Sequence, residues 1–306
     1  MSSVLPTLEE ARELVPRPGG HVWRLAGDAR GFSTAGYAVL LQVAHPTVGA
    51  GVGQYSGFLD DPWGRLLRTL DYVHGTIYGG PELAWTIGKR VRGIHTAIKG
   101  VKPDGERYHA LEPRAYAWVH ATLADAFVRG AEMFGTPLRA GEHQDFWEEW
   151  LRLGRLIGVR ERDLPERWND FRPYFDEMVE QDLEDNPTVH LVLESFESPQ
   201  PMLAGIPPRA WRVLRIPMAT QLRLTTVGML EPELRAKLGI AWSPRDERAF
   251  RALAAASRAS TPLIRGPLAE VGPRYVRWRA KQLERGDVAG RTPQRREEPA
   301  PDMAVA

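Results

Sequence analysis

The chain has 306 residues, enough for one large domain or two closely joined ones, and 43% of them are hydrophobic, enough to bury a sizeable core. Forty basic against 39 acidic side chains leave a formal charge of +1, so nothing favours a nucleic-acid polyanion, and a small-molecule or protein partner is expected. With no cysteine there are no disulfides, thiolate-ligated zinc sites, iron–sulfur clusters, cysteine-ligated haem or covalent c-type haem.

In chain order, the opening MSSVLPTLEEARELVPRPGG is amphipathic at best and lacks the apolar run of a signal peptide. Ser33 or Thr34 caps TAGYAVLLQVAH, which stops before Pro46 and a glycine-rich turn. Asp61-Pro62 opens a helix that ends at Gly79-Gly80. Pro81 opens the next, closed by Gly100, and Pro113 another, closed by Gly135. Helical periodicity then continues through 142–158, 166–185, 188–196, 208–230 and 244–259, and in a last helix over 272–285. Pro173 and Pro217 fall inside periodic stretches and predict kinks or breaks.

Strand signals are sparse, so the fold class is all-α. Residues 1–285 are expected to form a single domain, with SPQPMLAGIPP (198–208) as its best interior linker, and 286–306 a disordered tail. No apolar run approaches the roughly 18 residues that cross a bilayer. A soluble, cytoplasmic protein is expected; its oligomeric state cannot be read from the sequence.

One histidine stands out. On the helix over 82–99, Ala84, Ile87, Val91, Ile94, His95 and Ile98 recur at spacings of three and four, which puts His95 in the apolar stripe. Arg92 and Lys99 are its i−3 and i+4 neighbours. Burial beside cations favours the neutral imidazole, whose lone pair can bind a metal. A core histidine bonded to a backbone carbonyl explains the same spacing.

Neighbouring stretches bear on that choice. Arg65-Leu66-Leu67-Arg68-Thr69 precedes Arg92-x-x-His95-x-x-x-Lys99. Upstream lies His45-Pro46-Thr47-Val48-Gly49-Ala50-Gly51-Val52, then Tyr55-Ser56-Gly57-Phe58. Downstream come Tyr116-Ala117-Trp118-Val119-His120-Ala121-Thr122-Leu123 and Val227-Gly228-Met229-Leu230 through Leu238-Gly239.

Together these resemble the MpaB-like and latex-clearing-protein family of haem-b oxygenases, most strongly over 20–135 and more weakly over 210–265. The resemblance implies a globin-like helical bundle with additional helices, a haem b cofactor with its iron, and dioxygen or peroxide as co-substrate. It makes His95 the metal ligand; His120, which helical spacing turns inward with Ala117, Leu123 and Ala124, is the second choice, with core packing the competing explanation. Arg65, Thr69, Arg92 and Lys99 then belong to the cofactor site, and Arg68 and His45 to the catalytic side. Where rubber-cleaving members carry a lysine able to cap the iron, this chain has Arg68. Arginine stays protonated and offers no lone pair, so a lysine-capped resting state is excluded and polyisoprene cleavage loses support. Arg68 is instead suited to hydrogen-bond an oxygen species or a substrate carboxylate.

The function this implies is oxidation of a small apolar organic substrate, whether by dioxygen insertion, desaturation or peroxide-driven chemistry. A non-catalytic haem-binding or carrier protein is the principal alternative. A class I terpenoid synthase fits the helical content, but Asp60-Asp61 lacks a third acid, and Asn169-Asp170 to Glu177 has Pro173 where a hydroxyl is required. A di-iron carboxylate bundle has only Glu106 to His109 to offer. His74, one turn past Leu70, reads equally as solvated or capping, and His109 reads as a surface residue.

Overall fold

The computed structural model describes residues 5–55, 62–201 and 206–284. The predicted tail, Ser56–Phe58, the Asp60-Asp61 pair and part of the predicted linker lie outside them. So does the side chain of Arg65.

The chain is 75% helical, with fourteen α-helices among the described residues. The first four are α1 (Leu8–Leu14), α2 (His21–Gly27), α3 (Ala35–Ala44) and α4 (Pro46–Tyr55), with a 3-10 segment at Ala29–Thr34 before α3. An antiparallel helix pair follows, α5 (Pro62–Tyr78) and α6 (Gly80–Ala97). A two-stranded hairpin, β1 (Lys99–Val101) and β2 (Arg107–His109), leads to α7 (Pro113–Phe134) and α8 (Glu142–Leu156). Then come α9 (Trp168–Gln181), α10 (Pro187–Glu197), α11 (Pro208–Gly228), α12 (Pro232–Lys237), α13 (Pro244–Ala259) and α14 (Val271–Glu284).

Prolines and caps set many of these starts. Pro113 occupies the first turn of α7, where a missing N–H costs nothing, while the Glu112 carboxylate accepts from the Arg114 and Ala115 amides at 3.0 and 2.7 Å. Ser243 and Asp246 close a reciprocal capping box on α13.

The core runs along α3 and α7. Tyr37, Leu40, Leu41 and Val43 of α3, and Ala117, Trp118, Ala121 and Ala124 of α7, are all buried. Beside them Trp118, Phe146, Trp147, Trp150, Trp168, Phe171 and Phe175 form a continuous aromatic block. Each buried indole finds an acceptor: Trp118 Nε1 donates to the Leu41 carbonyl at 3.0 Å and Trp147 Nε1 to that of Pro165 at 2.9 Å. Burying one such ring contributes about 2–3 kcal/mol.

Four expectations need correcting. The glycine-rich stretch after Pro46 is a helix, α4. Its glycines allow close packing: a Cβ at Gly49 would meet the Val43 carbonyl at 2.6 Å and the Asn186 amide at 3.0 Å. Of the kinks or breaks expected at Pro173 and Pro217, neither is a break, since α9 and α11 continue through them. The helix before Gly100 ends at Ala97, so Lys99 begins a strand and is not a helical neighbour of His95. And the all-α chain contains that hairpin, whose three-residue strands are too short to show a period.

Candidate functional site

Helix α6 carries His95 two residues before its end. Ala84 and Gly88 of its inner face are buried, and Ile87, Val91, Ile94 and His95 are half-buried, so the stripe read from the sequence does face the protein. Gly88 lets α6 press on α8, since a Cβ there would come within 2.0 Å of the Leu156 carbonyl oxygen. His95 Nδ1 lies 2.7 Å from the Val91 carbonyl oxygen, one turn back. A carbonyl can only accept, so Nδ1 carries the proton and Nε2 keeps the lone pair.

Burial is the largest influence on this ring and pulls its pKa below the ordinary histidine value, with Arg92 and His109 adding smaller repulsions against the Val91 carbonyl. His109, at the end of β2, thus acts where Lys99 was expected to. The Tyr116 ring meets His95 edge-on at 5.6 Å, and its hydroxyl donates to the Ile157 carbonyl at 2.9 Å.

His120 is also buried and neutral, with its pKa down to about 4 through burial. Its Nε2 donates to the Trp150 carbonyl at 2.9 Å, and Trp150 Nε1 returns a bond to the His120 carbonyl at 3.1 Å. The two rings stack at 4.7 Å, and a Cβ at Gly154 would meet His120 Nε2 at 2.8 Å. Its Nδ1 has no partner, but the ring is fully buried and held between α7 and α8 by the stacking and the paired bonds to Trp150.

His45 caps α3 and is buried. Its Nδ1 accepts the Thr47 amide at 3.3 Å, which leaves the proton on Nε2, and burial lowers its pKa. It lines a cleft with Lys99, Arg107, His109, Arg114 and Asp182.

A largely apolar cavity, about 410 Å³, lies elsewhere, between the Ala29–Thr34 segment, α3, α5, α7 and α10. Phe32, Val39, Leu70, Val73, Phe127 and Phe196 form much of its wall, and Thr69 reaches its rim. His74 also lines it, contrary to the solvated or capping reading. The ring is buried, stacked between Phe32 and Tyr78 at 5.8 Å each, and pushed toward neutrality by burial. The Leu70 and Ala26 carbonyls near the ring favour its charged form, yet Nδ1 has no hydrogen bond of good geometry. The signal was present in the sequence: Leu66, Leu70, Val73 and His74 fall at helical spacing on one face.

The predicted residues therefore divide among three places. Thr69 belongs to the apolar cavity, His45 and Lys99 to the cleft, and His95 and Arg92 to the end of α6; Arg68 is exposed on α5. Of the terpenoid-synthase residues that are described, Asn169 and Asp170 are exposed and Glu177 pairs with Arg114 at 3.2 Å. No helix of the described residues is long and apolar enough to cross a membrane.

Comparison with known proteins places this arrangement. Two uncharacterized proteins, one from Mycobacterium bovis and one from Mycobacterium tuberculosis, are each 26% identical to the chain over 230 residues, covering 74% of it and 87% of the relative. No solved structure matches. Residues 23–259 match the family described as ER-bound oxygenase mpaB/B'/Rubber oxygenase, catalytic domain, so the chain belongs to this family of oxygenases.

Proposed function

We propose that the chain is a haem-b-dependent oxidoreductase, an oxygenase of a small apolar organic substrate, with His95 as the iron ligand. The observation that carries this is the His95 hydrogen bond: Nδ1–H is committed to the Val91 carbonyl and the ring is kept neutral, so Nε2 offers a lone pair. A haem iron would need little more from the protein than such a neutral nitrogen donor. Among the described residues no three histidine, aspartate or glutamate side chains gather to hold a metal ion by themselves. The donor set thus fits a porphyrin-held iron.

Haem b, when bound, supplies the redox-active iron that activates dioxygen or peroxide. The rest falls to the chain. The Val91 carbonyl holds the tautomer and orientation of His95. Arg92, on the same helix, and Lys99, just beyond it, are the cations suited to pair with propionates. The aromatic and aliphatic wall of the 410 Å³ cavity, which Thr69 joins, is the apolar surface suited to such a substrate, although it is lined by elements other than α6. Arg68 donates hydrogen bonds to developing negative charge on oxygen. His45, with its proton on Nε2, is the neutral donor of the cleft.

The test is an absorption spectrum after haem reconstitution. Wild type is expected to show a Soret band with an imidazole-ligated signature, His95→Ala to lose that signature, and His120→Ala to keep it. An unchanged His95→Ala spectrum would overturn the assignment. Oxygen uptake with reductant and apolar substrates then separates an oxygenase from a haem carrier, which would consume none.

A further inference from the structure

Helix α11 is built the wrong way round for a core helix. Over its first half the side chains that point outward are Val213, Leu214 and Ile216, 66, 58 and 58% exposed, with Pro217 beside them. Trp211, by contrast, is half-buried and donates Nε1–H to the Pro199 carbonyl at 2.8 Å. Arginines interleave the aliphatic residues: Arg209 and Arg212 are exposed and Arg215 half-buried. None of these three has an acidic partner in the described structure. From Ser198 to Leu230 the sequence contains no aspartate or glutamate, although the whole chain is almost charge-balanced. Exposing three large aliphatic side chains within about one helical turn is costly in water and calls for a covering surface.

We infer that this face of α11 docks on an anionic lipid bilayer, with Val213, Leu214 and Ile216 entering the acyl boundary and the arginines meeting lipid phosphates. An exposed helical face with aliphatic side chains set between cations is the chemistry of an interfacial helix. A second copy of the chain is the poorer occupant, because a two-fold interface lays the arginines of one face against their own equivalents. An acidic protein is also less suited: its hot spots would seek a pocket or exposed aromatic anchor, and this face presents neither. The location adds a reason for the contact. Ser198, Pro199 and Gln200, just before α11, and Leu222 within it line the apolar cavity. A substrate dissolved in a bilayer would thus leave it close to the cavity wall. That last step rests on the proposed function; the docking itself does not.

The experiment is co-sedimentation of the full-length chain with phosphatidylcholine vesicles containing about one-third phosphatidylglycerol, and with phosphatidylcholine alone. Strong pelleting on the anionic vesicles is expected, weakening as salt rises. Arg209→Gln/Arg212→Gln/Arg215→Gln together are expected to lower the partition coefficient roughly a hundredfold. Val213→Glu/Ile216→Glu is expected to abolish binding, with helical content unchanged by circular dichroism. Wild-type protein that stays in the supernatant, or a triple arginine variant that pellets like wild type, would overturn the inference. So would a dimer in sedimentation velocity that Val213→Glu/Ile216→Glu splits without any vesicle binding, which would assign the face to a second copy. His95→Ala should bind vesicles like wild type, so failure here and failure of the haem reading are seen separately.

Discussion

His95 on α6 and His120 on α7 share nearly every property by which a functional histidine is usually picked out. Both lie on an apolar stripe, both are held neutral mainly by burial, and both bond to a backbone carbonyl. They differ in which nitrogen makes that bond. His95 uses Nδ1, the atom nearest its own backbone, on the carbonyl of its own helix, so the tip of the ring stays available. His120 spends the tip, Nε2, on the carbonyl of Trp150, and Trp150 answers with its indole, so the pair ties α7 to α8. A depressed pKa therefore does not by itself mark a metal ligand; the proposed ligation by His95 turns on which nitrogen is left over.

The largest expected effect that sharpens this contrast is on ligation. His95→Ala should abolish the imidazole-ligated haem spectrum while leaving thermal stability within about 1 kcal/mol of wild type, as half-buried positions usually do. His120→Ala should do the reverse. It leaves a cavity and an orphaned Trp150 carbonyl, worth about 3 kcal/mol by urea denaturation, with the reconstituted spectrum intact. Should both variants lose the spectrum at equal stability, the contrast is broken.

Acid should produce a loss of similar size. A histidine whose folded pKa is depressed keeps its full contribution above the ordinary value of 6.5 and loses it as pH falls toward the folded value, about 4 for His120. That amounts to roughly 3 kcal/mol for this residue, at about 1.4 kcal/mol per pKa unit. His45, His74 and His95 act in the same direction. Asp125, raised from 3.8 to about 6 mainly by burial, acts oppositely: its contribution is full below 3.8 and lost as pH rises through about 6. Denaturation midpoints across pH 4–7 should therefore drop on acidification, and the drop should shrink in a His120→Phe variant. The smallest effect belongs to Tyr116→Phe. It removes the bond to the Ile157 carbonyl, about 1 kcal/mol, and should leave the His95 spectrum unchanged.

Most of the helices were legible because prolines and caps mark them: Pro113, Pro187, Pro208 and Pro244 each stand in a first turn. Helix α4 was not, because its glycines mimic a turn until the packing partner, Asn186 with the Val43 carbonyl, is known. The hairpin escaped because three-residue strands carry no pattern. At the site, His95 and Arg92 followed from helical spacing. Lys99 was misplaced by extending that helix past Ala97, and its supposed electrostatic part falls to His109, brought in by the hairpin. His74 shares a face with Leu66 and Leu70, yet nothing local says that the face opens on a cavity instead of packing solidly. Cavities arise from elements far apart in the chain, and no window of sequence contains them.

Gly88 carries a consequence for how such a chain can drift through mutation. It touches nothing reactive, yet the Leu156 carbonyl lies where its first side-chain carbon would be. His95 is seven residues on, about 10 Å further along the same rod. A single added methyl must tilt or slide that rod, and the displacement arrives at the histidine. Substitution at Gly88 thus acts on the placement of His95 two turns away, and an α8 terminus that had first drawn back would relieve it.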